Sequence, residues 1–117
     1  MKLKKTLIPF ILILMVAAAF WRPVQLRAGG EPFQEIKGVF ASKCAVCHAP
    51  DGSANTAKGK ELKVKDMRSP EVQGMSDDKL YEVIAKGKGK MIGYEKSLGK
   101  EKVQQLVEYT RELGKKK

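Results

Sequence analysis

"SKCAVCHAPDG", residues 42–52, holds both cysteines and the one histidine of a 117-residue chain. Cys44, Cys47 and His48 admit three readings: a thiol–disulfide redox pair, part of a metal site, or the anchor of a larger group. A redox pair belongs at a strand-to-helix junction, and the chain ahead of Cys44 shows neither alternating nor continuous β-branched residues. A structural zinc ion takes four ligands, and the sequence has no further Cys or His to complete the set. Cys-x-x-Cys-His is the spacing that attaches c-type haem. Two thiols three positions apart on one helical turn can each add to a vinyl group, and the adjacent imidazole is then turned onto the iron.

The N-terminal thirty residues differ from the rest. Lys2, Lys4 and Lys5 precede an uncharged apolar run from Leu7 to Phe20, closed by Trp21 and Arg22. A cationic end, a short apolar helix and a polar exit are the order an export signal needs. The run falls short of the roughly 20 apolar residues of a membrane span, and Pro9 interrupts its first turn. Residues 1–30 are therefore expected to be a signal peptide, with small residues for cleavage at Ala17 to Ala19 and at Ala28. An uncleaved anchor, lengthened through Val24 and Leu26, is the alternative. The expected location is periplasmic, or tethered to the outer face of the cytoplasmic membrane if the anchor stays. Residues 31–114 form the domain and residues 115–117 a basic tail.

A domain of that size buries only about 60–65 % of its unfolded surface and is marginal without a staple. A Cys44–Cys47 disulfide would close too small a loop to help. A large apolar cofactor would serve far better, and thioether attachment of haem takes place outside the cytoplasmic membrane in bacteria, in keeping with the export signal.

Helical periodicity dominates the rest of the chain. Phe33, Ile36 and Phe40 recur at helical spacing ahead of Cys44, with Pro32 tolerated in the first turn. Gly38 interrupts that helix at about 1 kcal/mol relative to alanine, which suggests a second helix crossing closely there. Residues 100–113 keep Val103, Leu106, Val107, Thr110 and Leu113 on one stripe, with Gly114 as a stop and Tyr109 placed to pack near Gly38 and Phe40. Ser69 with Pro70 predicts a short helical turn. Ser76, Asp77 and Asp78 predict the start of a helix whose apolar side is Leu80, Val83 and Ile84 and whose stop is Gly87. Ala49 to Arg68 reads mostly as loop around an Asp51–Gly52 turn, with Leu62, Val64 and Met67 lining a crevice or core. No strand or β-hairpin signal stands out.

With "GVFASKCAVCH" at 38–48 and "GKGKMIGYEKSLGKEKVQQLVEYTREL" at 87–113, the chain resembles the class I cytochromes c over nearly all of residues 31–114. The resemblance implies an all-α fold, a small bundle of about three main helices wrapped around covalently bound haem c. It implies Cys44 and Cys47 as thioether donors, His48 as one axial ligand and a methionine before the last helix as the other. Met67, Met75, Met91, a lysine or nothing are the candidates for that second place. Met91 is the expected ligand, since it lies between two helices in a polar, glycine-rich stretch unlike a core. Ile92 stands where the family usually has proline.

A haem ligated by His48 and Met91 offers no open position for a substrate, so the implied function is one-electron transfer rather than catalysis. The rival readings are a haem protein with a labile sixth ligand, binding a small gas or acting as a weak peroxidase, and a fixed electron-entry subunit of a larger oxidoreductase. The chain carries a net charge of +10, and residues 31–117 hold 18 basic and 13 acidic residues. Lys86, Lys88 and Lys90 bracket Met91, which predicts docking against an acidic face of a redox partner. A monomer that binds no nucleic acid is expected, with membrane contact only through an uncleaved N-terminus.

Overall fold

The computed structural model describes residues 31–116; the expected signal peptide or anchor at residues 1–30 lies outside them. Seven helices and one minimal hairpin follow in order: α1 Glu31–Lys43, α2 Ala45–His48, α3 Ala57–Glu61, α4 Pro70–Gln73, α5 Asp77–Lys86, β1 Gly87–Lys88, β2 Met91–Ile92, α6 Glu95–Leu98 and α7 Lys100–Lys115. Three are long, α1, α5 and α7, and α7 packs on both of the others. The all-α expectation with three main helices holds.

α7 supplies the floor of the core. Val103, Leu106, Val107, Tyr109, Thr110 and Leu113 are buried along it, the stripe read from the sequence with Tyr109 added. Ile36 and Phe40 of α1, Val72 of α4 and Leu80, Ile84 and Ala85 of α5 close over them. Each such side chain removed from water contributes about 1.5–3 kcal/mol. The one buried polar side chain among the described residues, Thr110, returns its hydroxyl to the Leu106 carbonyl at 2.9 Å.

The α1–α7 crossing does not run through Gly38. Gly38 is exposed, and a Cβ placed on it would meet nothing within 4 Å. The helices meet instead through aromatic rings, Tyr109 lying 5.0 Å from Phe40 and 5.6 Å from Phe33 between ring centroids, both tilted by 54°. Rings of that size hold the helix backbones apart, so small residues are not needed there.

Helix starts follow the sequence closely. Ser69 and Ser76 each accept a hydrogen bond from the backbone N–H three residues on, at the N-termini of α4 and α5. Gly87 ends α5 at φ 83. Gly114 does not end α7, which runs on to Lys115. Its missing side chain makes room for Gln73, whose amide atoms would lie 2.4–2.7 Å from a Cβ there. The Gln73 amide in turn donates to the Met67 carbonyl at 2.7 Å and the Thr110 carbonyl at 3.1 Å. Arg111 completes this seam, donating to the carbonyls of Gln73 and Met75 and to the Asp77 carboxylate.

Two elements were not expected. α3 forms inside the stretch read as loop, and β1 pairs antiparallel with β2, Gly87 opposite Ile92 and Lys88 opposite Met91. Gly89, φ 59, occupies the first central position of the two-residue connection, where tight hairpin turns demand positive φ.

Candidate cofactor site

A cavity of about 550 Å³ lies between the α2 segment and the β1–β2 hairpin, within the roughly 300–1,000 Å³ of ligand and cofactor sites. Cys44, Cys47 and His48 line it together with Met91, 43 residues further along the chain. Met67 and Met75, the other two candidate thioethers, line it as well. The walls between these donors are apolar, formed by residues such as Leu62, Val64, Val72, Leu80 and Ile84.

The turn bearing the two thiols and the imidazole is fixed locally. Cys44 N–H bonds to the Phe40 carbonyl at 2.9 Å, so α2 continues the direction of α1, and His48 N–H returns to the Cys44 carbonyl at 2.9 Å. From across the following loop the Thr56 hydroxyl donates to the Val46 carbonyl at 2.8 Å and approaches that of Cys47 at 3.2 Å, while accepting from Gly59 N–H at 2.8 Å. Gly59 is buried against this turn: a Cβ there would sit 2.4 Å from the carbonyl oxygens of Cys47 and Ala54. α3 therefore acts as a brace behind the two cysteines. Thr56 is a helix cap that accepts from Gly59 N–H, hidden in the sequence by the glycine and two lysines of the segment.

His48 carries the clearest sign of a ligating role. Its Nδ1 is buried with no hydrogen-bond partner, the one such side-chain atom among the described residues. Such an orphan calls for an ion or group that satisfies the ring. Burial lowers the pKa of the imidazole below its usual value, which favours the neutral form that binds metals. Burial also pushes the Cys44 thiol up to about 11, with neighbouring Lys43 pulling down and Cys47 pushing up by less. Both cysteines are free thiols. In volume, apolar lining and donor set the cavity fits a haem.

Met91 stands on β2 and packs partly buried against the core. Its hairpin is held by close backbone approaches. A Cβ on Gly87 would lie 2.4 Å from the Met91 carbonyl, and one on Gly93 2.5 Å from that of Ala85. Tyr94 N–H bonds to the Ile84 carbonyl at 2.9 Å just beyond.

The mouth of the cavity has a marked charge pattern. Lys43, Lys63, Lys65, Lys88 and Lys90 line it, Lys65 with its ammonium on the Glu71 carboxylate, and among the described residues no carboxylate lines the cavity itself. Lys86 does not join them; its ammonium lies 3.7 Å from Glu82 on the outer side of α5. Val46, 64 % exposed, and Ile92, 67 % exposed, also line the mouth and are two of the three large apolar side chains left in solvent among the described residues. Sequence reading missed Lys43, Lys63 and Lys65, because only the folded loop brings residues 43 and 63–65 to the hairpin.

Residues 31–109 match the protein family described as Cytochrome C oxidase, cbb3-type, subunit III. A solved structure named KustC0563 c-type cytochrome superposes with a TM-score of 0.59 at 28 % identity, covering 66 % of this chain and 94 % of that one. The chain has no significant match among curated proteins.

Proposed function

The chain belongs to the c-type cytochrome family of the cbb3-type cytochrome c oxidase subunit III, and from that premise we propose that it is a monohaem one-electron carrier. In this reading Cys44 and Cys47 would hold the porphyrin through thioethers and His48 and Met91 would ligate its iron. One observation carries the assignment: an imidazole with an unpartnered buried nitrogen opens on the same apolar cavity as both thiols and Met91. The bound group supplies a one-electron couple, which imidazole and thioether ligation together with burial bias toward the reduced form.

The protein's own residues supply position and surroundings. Burial keeps His48 neutral and ready to ligate. Thr56 and Gly59 hold the turn that aims the two sulfurs and the imidazole. Leu62, Val64 and Leu80 exclude water. With Met91 as a ligand no coordination position would remain for a substrate, which favours electron transfer over catalysis.

The partner is a redox protein with an acidic face. Lys43, Lys63, Lys88 and Lys90 around the cavity would steer it, and Val46 with Ile92 would provide the dry centre of a small contact. Stopped-flow reduction by an acidic partner should slow steeply with added salt, as exposed charges are screened beyond about 10 Å at 0.1 M. The domain is proposed to work in the periplasm, either released from residues 1–30 or tethered by them. A fixed place in an oxidase assembly, suggested by the family's name, is the second reading; purification of the native protein as a monomer would count against it.

A pyridine haemochrome spectrum with the intact mass of the exported protein tests attachment. Colourless material with the mass of the polypeptide alone would overturn the assignment. A far-red sulfur-to-iron band in the ferric protein, lost in Met91→Ala, tests the second ligand. Absence of that band together with ready carbon monoxide binding would favour the labile-site reading.

A further inference from the structure

We propose that Tyr94 is a positioning residue, a strut that sets the distance between the Met91 hairpin and the cysteine-bearing turn; this rests on the reading of Met91 as a ligand. The Tyr94 hydroxyl donates to the Lys43 carbonyl at 3.2 Å, across 51 residues of sequence. Lys43 is the last residue of α1 and directly precedes Cys44. Among the described residues, this is the one hydrogen bond or ion pair that joins residues 87–94 to residues 31–48. Its acceptor is one of the C-terminal carbonyls that a helix leaves without an internal partner.

Tyr94 is suited to the role because its backbone is anchored on the other side. Its N–H bonds to Ile84 of α5, and its carbonyl accepts from Leu98 N–H at 2.9 Å, starting α6. Tyr81 O–H donates to the Glu95 carboxylate at 2.7 Å and pins the next residue to α5. Gly93, wedged against Ala85, leaves no slack between this anchor and the hairpin. The phenol thus converts a hairpin fixed to α5 alone into one fixed to both sides of the cavity. The hairpin needs this, since Ile92 has neither the fixed φ of a proline nor packing over its outer face.

The test is imidazole binding to the ferric, haem-loaded full chain, followed in every variant by the shift of the main haem absorption band and, where Met91 is present, also by loss of the far-red band. Tyr94→Phe keeps the ring and removes the strut. It should bind imidazole about fivefold more tightly, the equivalent of one hydrogen bond of about 1 kcal/mol. Val107→Ala, a change in the buried face of α7, should lower the melting temperature and leave imidazole affinity where it is; an equal rise in both variants would reduce the effect to general loosening and overturn the proposal. Met91→Ala separates the two readings. If it fails to raise imidazole affinity, the ligand assignment falls and the strut with it. If it raises affinity while Tyr94→Phe does not, the strut alone is wrong.

Discussion

Around Cys44–His48 the backbone is held by the Thr56 hydroxyl and the close approach of Gly59, whereas around Met91 it is held by two glycine approaches and one distant phenol. Thr56 reaches the carbonyls of Val46 and Cys47, and α3 stands behind them. Gly87 and Gly93 let the hairpin lie directly on neighbouring carbonyls, and the Tyr94 phenol adds a single long-range bond. The first arrangement closes within sixteen residues, from Cys44 to Gly59, and can form early from local contacts. The second exists only once α5 and the end of α1 have come together. In the proposed reading one side would capture the cofactor and the other would tune it.

Removing a donor from the cysteine turn should break the molecule. His48→Ala or Cys47→Ser is expected to abolish accumulation of protein with two thioether bonds, read by pyridine haemochrome and intact mass. Met91→Ala should leave a coloured, folded protein with a lower reduction potential and open access for carbon monoxide. If both sides fail alike, the contrast between capture and tuning is gone.

The glycines sharpen the contrast. Gly59→Ala and Gly93→Ala place a methyl group 2.4 and 2.5 Å from carbonyl oxygens, and each should cost about 1–3 kcal/mol in chemical denaturation. Only Gly59→Ala should lower the yield of haem-loaded protein; only Gly93→Ala should weaken the far-red band. Thr56→Val, which removes the hydroxyl and orphans its partners, should cost about 1–3 kcal/mol and behave like Gly59→Ala.

The smallest effect concerns Cys44 before any haem is attached. Its thiol is pushed up to about 11 by burial, so the reactive thiolate is scarce at neutral pH. In the haem-free Cys47→Ser chain, alkylation of Cys44 should keep rising about tenfold per pH unit toward pH 11. Levelling off near the usual thiol range of about 8.5 would show that the fold does not bury this sulfur before attachment.

The sequence reveals what is local. Ser69, Ser76 and Gly87 mark helix ends because a cap or a positive φ is decided within four residues, and the α7 stripe is visible because 3.6-residue periodicity runs over four turns. Cys44, Cys47 and His48 are legible for the same reason. Gly38 and Gly114 mislead because a glycine states that a side chain is missing without saying what needs the room. At 114 it is Gln73, 41 residues away; at 38 nothing approaches. The hairpin escapes notice because two residues per strand are too few for alternation to show. Tyr94 and the lysines contributed by residues 43 and 63–65 gain their meaning only from contacts across the fold.

The seam of α7 against α1 and α5 has a bearing on timing. This helix follows α1 to α6 along the chain, and six of the buried side chains belong to it. Until it arrives Ile36, Phe40 and Leu80 have little to settle against, so the polypeptide stays open. In the proposed reading the two sulfurs, more than fifty residues upstream of Lys100, would stay within reach of an attaching enzyme on the outer face of the membrane until α7 docks, so the docking of that helix, rather than its synthesis, would close the fold over the porphyrin.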